Sequence, residues 1–169
     1  MKKIILLLAT IVVGLSVNAQ RIKKHEIDKF TKAEVIETSS ETLYSSTYML
    51  SGYNYKFDFL IRCYNGEFVI AANVLMQDVV KYDETDGITF LLENDETVTL
   101  RTNFTGVGGE RFAQGYWFTT SFNIPKEDVE KLKQYNITDV RITYVGGHYD
   151  KEIKGKKQQL IKKMLNLFE

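Results

Sequence analysis

The segment from Tyr53 to Met76 constrains this chain more than any other. Tyr53, Tyr55, Phe57, Phe59, Ile61 and Cys63 alternate with Asn54, Lys56, Asp58 and Arg62, and Leu60 and Tyr64 join the second set. A period of two sustained over that length is the mark of a half-buried strand. Asn65-Gly66 follows at once. Both residues tolerate positive φ, which suits a two-residue type I′ turn. Such a turn sets Tyr64 opposite Glu67, Cys63 opposite Phe68 and Ile61 opposite Ile70. Phe68, Ile70, Ala72, Val74 and Met76 then share the aromatic face. A slip of one residue would turn that whole set outward. The hairpin therefore commits the chain to antiparallel sheet with one apolar face.

The same reading extends along the chain. Ile88, Phe90 and Leu92 alternate, as do Val98, Leu100, Thr102 and Phe104. A three-residue loop, Asn94-Asp95-Glu96, would pair Leu92 with Val98 and Phe90 with Leu100. Asp83-Glu84-Thr85-Asp86-Gly87 is the polar connector before that hairpin. Tyr116 to Phe122 reads as a strand with Trp117 on its second face, and Val140, Ile142 and Tyr144 mark a later one. Two weaker strands are expected at about Ile27 to Glu37 and Leu43 to Leu50, with a bulge near Phe30 or Ile36.

Two helices are expected. Pro125 opens the first, with Glu127 and Asp128 in its first turn and Val129 and Leu132 inward. Glu127 and Lys131 are spaced as a surface pair, and Asn136 suits a left-handed closing position. The second runs from about Asp150 to Phe168, with Ile153, Leu160, Ile161, Met164, Leu165 and Phe168 as its apolar stripe. The expected class is α+β: a mainly antiparallel β-sheet, curved or sandwich-like, covered by the C-terminal helix, with one further short helix.

The amino terminus places this domain. Lys2 and Lys3 precede an apolar run from Ile4 to Val13, and small residues lead to Ala19. That is the pattern of a secretory signal peptide over residues 1–19, which leaves 20–169 as a single β-rich domain, periplasmic or secreted. The apolar run is too short for a membrane span, which needs about 20 residues. The chain has 22 basic and 22 acidic residues, and loss of Lys2 and Lys3 leaves a net charge of −2. That balance offers no general attraction to nucleic acid or to anionic membranes. One cysteine, Cys63, excludes an intramolecular disulfide.

Residue types that carry catalysis are scarce. His25 lies in a charged segment near the mature terminus, where a solvated side chain accounts for it. His148 stands in Gly146-Gly147-His148-Tyr149-Asp150, between a strand and the last helix. It and Asp150 are two ligands, and zinc needs three or four. Asp150 also suits a helix cap. Cys63 falls on the aromatic face, where a buried inert thiol is expected. Gly106-Val107-Gly108-Gly109 lacks the spacing of a phosphate loop and reads as a hairpin tip. Asp83, Asp86 and their acidic neighbours read as solvated turn charges and match no calcium-binding loop. The lysines of the last helix read as its solvent face. No catalytic set, metal site or cofactor site emerges. Surface aromatics are what remains: Tyr44 and Tyr48 share a face, and Trp117 points away from its strand's apolar side. With His148 they form the candidate ligand-binding set, since exposed Tyr and Trp are favoured in recognition of sugars and proteins.

Asp28-Lys29-Phe30-Thr31 after the leader, and Ile124-Pro125-Lys126-Glu127-Asp128-Val129 leading to Ile137-Thr138-Asp139-Val140-Arg141-Ile142, resemble the corresponding segments of small exported bacterial proteins with a strand-rich body and late helices. The resemblance spans most of the mature chain. It implies a secreted β-rich accessory protein and supplies no site residues. The expected function is that of an exported, non-enzymatic binding or accessory protein. Its partner would be a protein, a glycan or a small molecule, held by an aromatic sheet face. The alternatives are a carboxylate-dependent hydrolase and a structural or assembly component of the cell envelope.

Overall fold

The computed structural model describes residues 21–47, 54–77, 79–103, 106–108, 110–112 and 115–169, with only the backbone described at 47, 107, 108 and 110–112. Residues 1–19, read above as a signal peptide, and Tyr48 lie outside the described residues.

The architecture is α+β and mainly antiparallel. The larger sheet has seven strands. They are β1 (Ile22–Ile27), β2 (Glu34–Thr38), β3 (Glu41–Thr47), β4 (Asn54–Tyr64), β5 (Glu67–Met76), β10 (Glu110–Phe112) and β11 (Gly115–Ile124). Their order is β1-β2-β4-β5-β11-β10, and β3 also pairs with β4. The smaller sheet has the order β13 (Gly147–Glu152), β12 (Ile137–Tyr144), β7 (Gly87–Leu92) and β8 (Thr97–Arg101). A two-stranded ribbon joins β6 (Val80–Tyr82) to β9 (Gly106–Gly108).

The inward faces of the two larger sheets share one core. Phe57, Phe59, Ile61, Ile70 and Phe122 meet Ile88, Phe90, Leu100 and Ile142 in a single buried cluster. Helix α1 (Lys126–Gln134) adds Val129 and Leu132. Helix α2 (Leu160–Leu165) adds Leu160, Ile161, Met164 and Leu165. One seam ties the sheets directly. The Thr102–Phe122 bridge joins the end of β8 to β11, and the buried hydroxyls of Thr102 and Thr120 meet at 2.7 Å.

The β4–β5 hairpin has the expected register, with Tyr64 facing Glu67, Cys63 facing Phe68 and Ile61 facing Ile70. Asn65 and Gly66 have φ of 49° and 85°, as a type I′ turn requires. The β7–β8 hairpin departs from expectation by two residues. Phe90 faces Val98 and Ile88 faces Leu100. The loop is Glu93-Asn94-Asp95, closed by the Leu92 amide on the Glu96 carbonyl at 2.9 Å, with Asp95 in the left-handed region at φ 65°. A shift of two keeps every side chain on its expected face.

Other expectations are corrected. The strand expected from Ile27 to Glu37 is a hairpin: β1 and β2 flank a turn at 28–33. Gly106–Gly108 is a paired strand where a loop was expected. Helix α1 closes on an extended Tyr135 (φ −108°, ψ 151°), so Asn136 does not take a left-handed position. It instead donates from its side chain to Glu93 at 2.8 Å. Lys131 pairs with Glu96, at 3.4 Å, where Glu127 was expected. The long last helix contracts most. Gly147–Glu152 is an edge strand, a 3-10 turn spans Gly155–Gln159, and the α-helix begins only at Leu160. Asp150 is therefore a strand residue and not a helix cap.

Candidate functional site

The outward face of the large sheet carries an ordered group of polar side chains around a half-buried tryptophan. Alternation turns Lys56 and Asp58 of β4 away from Phe57 and Phe59. The β4–β5 register sets Lys56 beside Leu75 and Asp58 beside Asn73. The β5–β11 register sets Leu75 beside Trp117 and Asn73 beside Thr119. On the far side Ser45 and Thr42 of β3 face Lys56 and Asp58. Two neighbouring rows result: Ser45, Lys56, Leu75, Trp117, and Thr42, Asp58, Asn73, Thr119.

Each row is held in place. The Thr42 hydroxyl donates to Asp58 Oδ1 at 2.5 Å, and Lys56 Nζ meets Asp58 Oδ2 at 2.6 Å. The Thr119 hydroxyl donates to Asn73 Oδ1 at 2.7 Å. Lys56 Nζ also lies 5.9 Å from the centre of the Trp117 ring, a contact worth about 0.5–1 kcal/mol at an exposed site. Leu75, between Lys56 and Trp117 in their row, is only 6% exposed. The indole is half-buried, so it is fixed and still accessible. Beside it stand an ammonium, a carboxylate and an amide. These are the groups that bind hydroxyls, set against a ring that can stack on an apolar sugar face.

Trp117 thus sits where expected, facing away from its strand's buried side. The other candidates do not join it. Tyr44 is in the core, 5% exposed, with its ring 5.9 Å from Phe57 and 5.7 Å from Tyr149. A bulge between Thr42 and Tyr44 re-phases β3 and turns this ring inward. Burial pushes its phenol well above the usual range, and its hydroxyl has no hydrogen-bond partner among the described residues. His148 is exposed on the outward face of the other sheet. Its Nε2 lies 3.7 Å from Asp150 Oδ2, but Asp150 is already clamped by Arg141 at 2.7 and 2.6 Å. The same guanidinium holds the Asp150 carboxyl below the usual carboxylate range. The aromatic face of β4 and β5 packs in the core, so it is not the surface that meets a ligand.

The remaining groups are used structurally. Burial raises the Cys63 thiol. Asp83 caps Thr85 through its amide and hydroxyl at 2.9 and 2.6 Å, and Asp86 accepts from the Asp83 amide at 2.9 Å. No cluster of three or more metal-ligating side chains occurs among the described residues. Asp128 is raised, chiefly by burial, at the start of α1. A groove of about 560 Å³ opens nearby, between the β4–β5 turn and α1, and Asp128 does not line it.

Sequence reasoning missed Lys56, Asp58, Asn73 and Thr119 as a group. The polar alternation of β4 was visible, but nothing local says that β11 pairs with β5 and brings Trp117 to the same rows. Comparison with known proteins returns no matching family model, no similar curated protein and no similar solved structure.

Proposed function

We propose that this chain is an exported, non-enzymatic binding protein that takes a glycan on the outward face of its larger sheet. The observation that carries the reading is Trp117. A half-buried indole is held beside Lys56 and next to the Asp58–Asn73–Thr119 row. In such a site the ring supplies stacking area at low entropic cost, and the polar groups fix the sugar's hydroxyls. Asn73 spends its carbonyl oxygen on Thr119, which leaves its amide N–H groups for a ligand. The amino-terminal pattern of Lys2, Lys3 and the following apolar run supports export.

Trp117 is the single tryptophan of the chain, so its fluorescence reports directly on this face. Titration with a panel of cell-wall and extracellular oligosaccharides is expected to give a saturable change in emission for at least one of them. Isothermal titration of that glycan should show Trp117→Ala weakening it by at least about tenfold, the loss of one stacking contact. Asp58→Asn should weaken it less. Unchanged emission across the whole panel would overturn the reading, as would full affinity in Trp117→Ala.

A further inference from the structure

Strand β11 lies between β5 and β10 and shows its outward residues in one unbroken line. Its register against β5 runs from the Tyr116–Met76 pair to the Ile124–Phe68 pair without a bulge. Phe118, Thr120, Phe122 and Ile124 are buried, so Trp117, Thr119, Ser121 and Asn123 face outward, half-buried or exposed. At about 3.3 Å per residue, the steps from Trp117 to Asn123 cover roughly 20 Å. The side chains between these two are short. The β5 residues alongside Ser121 and Asn123 are Ala71 and Val69, both half-buried, so no large group stands up across the line.

The polar groups along this line hold one another and still have bonding capacity left. Asn103, just past β8, donates its side-chain amide to Ser121 Oγ at 3.3 Å and to Asn123 Oδ1 at 2.9 Å. Its backbone amide bonds to the Ser121 carbonyl at 2.9 Å, which fixes it beside β11. The Asn103 side-chain carbonyl, the Asn123 side-chain amide and the Ser121 hydroxyl proton have no partner among the described residues. Asn73, beside Thr119, likewise keeps its amide protons. The charges next to the line are paired: Lys56 with Asp58 and Arg62 with Glu37, each at 2.6 Å. The register sets Glu110 opposite Trp117, an acidic position. The β11 line itself is uncharged, and its surroundings hold no surplus cation to draw a polyanion.

We propose that the glycan is an uncharged, extended polysaccharide that lies along β11. Trp117 stacks on one sugar ring, and Asn73, Ser121, Asn123 and Asn103 bind the hydroxyls of the rings that follow. Successive outward residues are about 7 Å apart, comparable to the advance of one ring along an extended chain, so the line meets about three or four rings. It offers amide and hydroxyl donors together with an amide acceptor, which suits sugar hydroxyls that both donate and accept. A short sugar would leave most of the line unused. A protein partner calls for an apolar, close-packed centre, and the centre here is Thr119 and Ser121. The inference rests on the glycan reading of Trp117 and adds to it the ligand's length, course and charge.

Trp117 emission and isothermal titration with graded oligosaccharides test this. The probes are fragments of two to six units from β-1,4-glucan, chitin, β-1,4-mannan and β-1,4-xylan, with polygalacturonate fragments of the same lengths as the charged series. In at least one neutral series, affinity is expected to rise by about tenfold or more between two and four units, as further hydrogen bonds form, and then to level off. Asn123→Ala should weaken a hexasaccharide by about three- to tenfold, the loss of one neutral hydrogen bond, and leave a disaccharide unchanged. Trp117→Ala should weaken both. Thermal melting checks that the variants stay folded, and the length series decides the matter without any variant. Equal affinity for the short and long members of a series that shifts Trp117 emission would overturn this inference and leave the glycan reading standing. So would parent affinity for the hexasaccharide in Asn123→Ala, or tighter binding of polygalacturonate than of every neutral series. Unchanged emission with all the sugars would overturn both.

Discussion

Two buried hydroxyls act in opposite ways on this fold. Thr38 ends β2 where that strand gives way to β3 along the edge of β4. Backbone pairing skips Leu60 and Ile61 there. The Thr38 hydroxyl fills the gap, accepting from the Ile61 amide at 3.0 Å and donating to the Ser39 carbonyl at 3.1 Å. Tyr44 is equally buried, but its hydroxyl has no partner among the described residues. Thr38→Val should therefore cost about 1–3 kcal/mol, because it strands a buried amide. Tyr44→Phe should be neutral or stabilise by up to about 1 kcal/mol, because it removes a desolvated group without orphaning another. Urea unfolding of both variants beside the parent measures the contrast, and the reverse order would refute it. Thr38 carries no sequence signal for this role, since the gap it fills exists only once two strands share one edge. Tyr44 misleads for a related reason: a bulge adds a residue and shifts the phase of everything after it.

At the level of elements, legibility follows how local the determinant is. The β4–β5 hairpin was readable because the turn and the alternation sit in one segment and agree. The β7–β8 faces were readable, but the loop was not. Which of four polar residues takes the left-handed position is decided by small differences, and Asp95 takes it. A three-residue hairpin favours glycine at that place. Asp95→Gly is expected to stabilise the protein by about 0.5 kcal/mol, as left-handed strain relieved exceeds the entropy glycine loses. Chemical denaturation would show it as a raised midpoint at constant slope. A lowered midpoint would mean that the Asp95 side chain is used. Strand β13 escaped notice because its half-buried positions are Gly147, Tyr149 and Lys151, too polar to announce a strand. The outward rows around Trp117 were illegible for the opposite reason: they depend on which strand lies beside which, and β5 meets β11 across some forty residues of chain.

For the whole molecule, the question is what closes the core. The sheets meet directly at the Thr102–Phe122 seam, and the C-terminal segment contributes to the same core. Polar ties dock that segment: Lys162 Nζ reaches the Gln134 carbonyl at 2.7 Å, and Lys157 reaches the Thr42 carbonyl at the β3 edge. These contacts are exposed and worth little alone. The buried side chains Leu160, Ile161, Met164 and Leu165 supply the energy. At roughly 1.5–3 kcal/mol each they amount to about 6–12 kcal/mol gross, against a net stability of about 5–15 kcal/mol for a domain of this kind. A chain ending at Lys154 should therefore lose cooperative unfolding. Met164→Ala, at a cost of about 2–5 kcal/mol, should keep it with a lowered midpoint. Trp117 emission in urea distinguishes the two, since the indole lies on the far face of the large sheet and changes only when the sheet itself comes apart. A sigmoidal transition in the truncated chain, with the parent's slope, would show that the paired sheets hold their core without the helix. The terminal segment would then be an accessory to the fold.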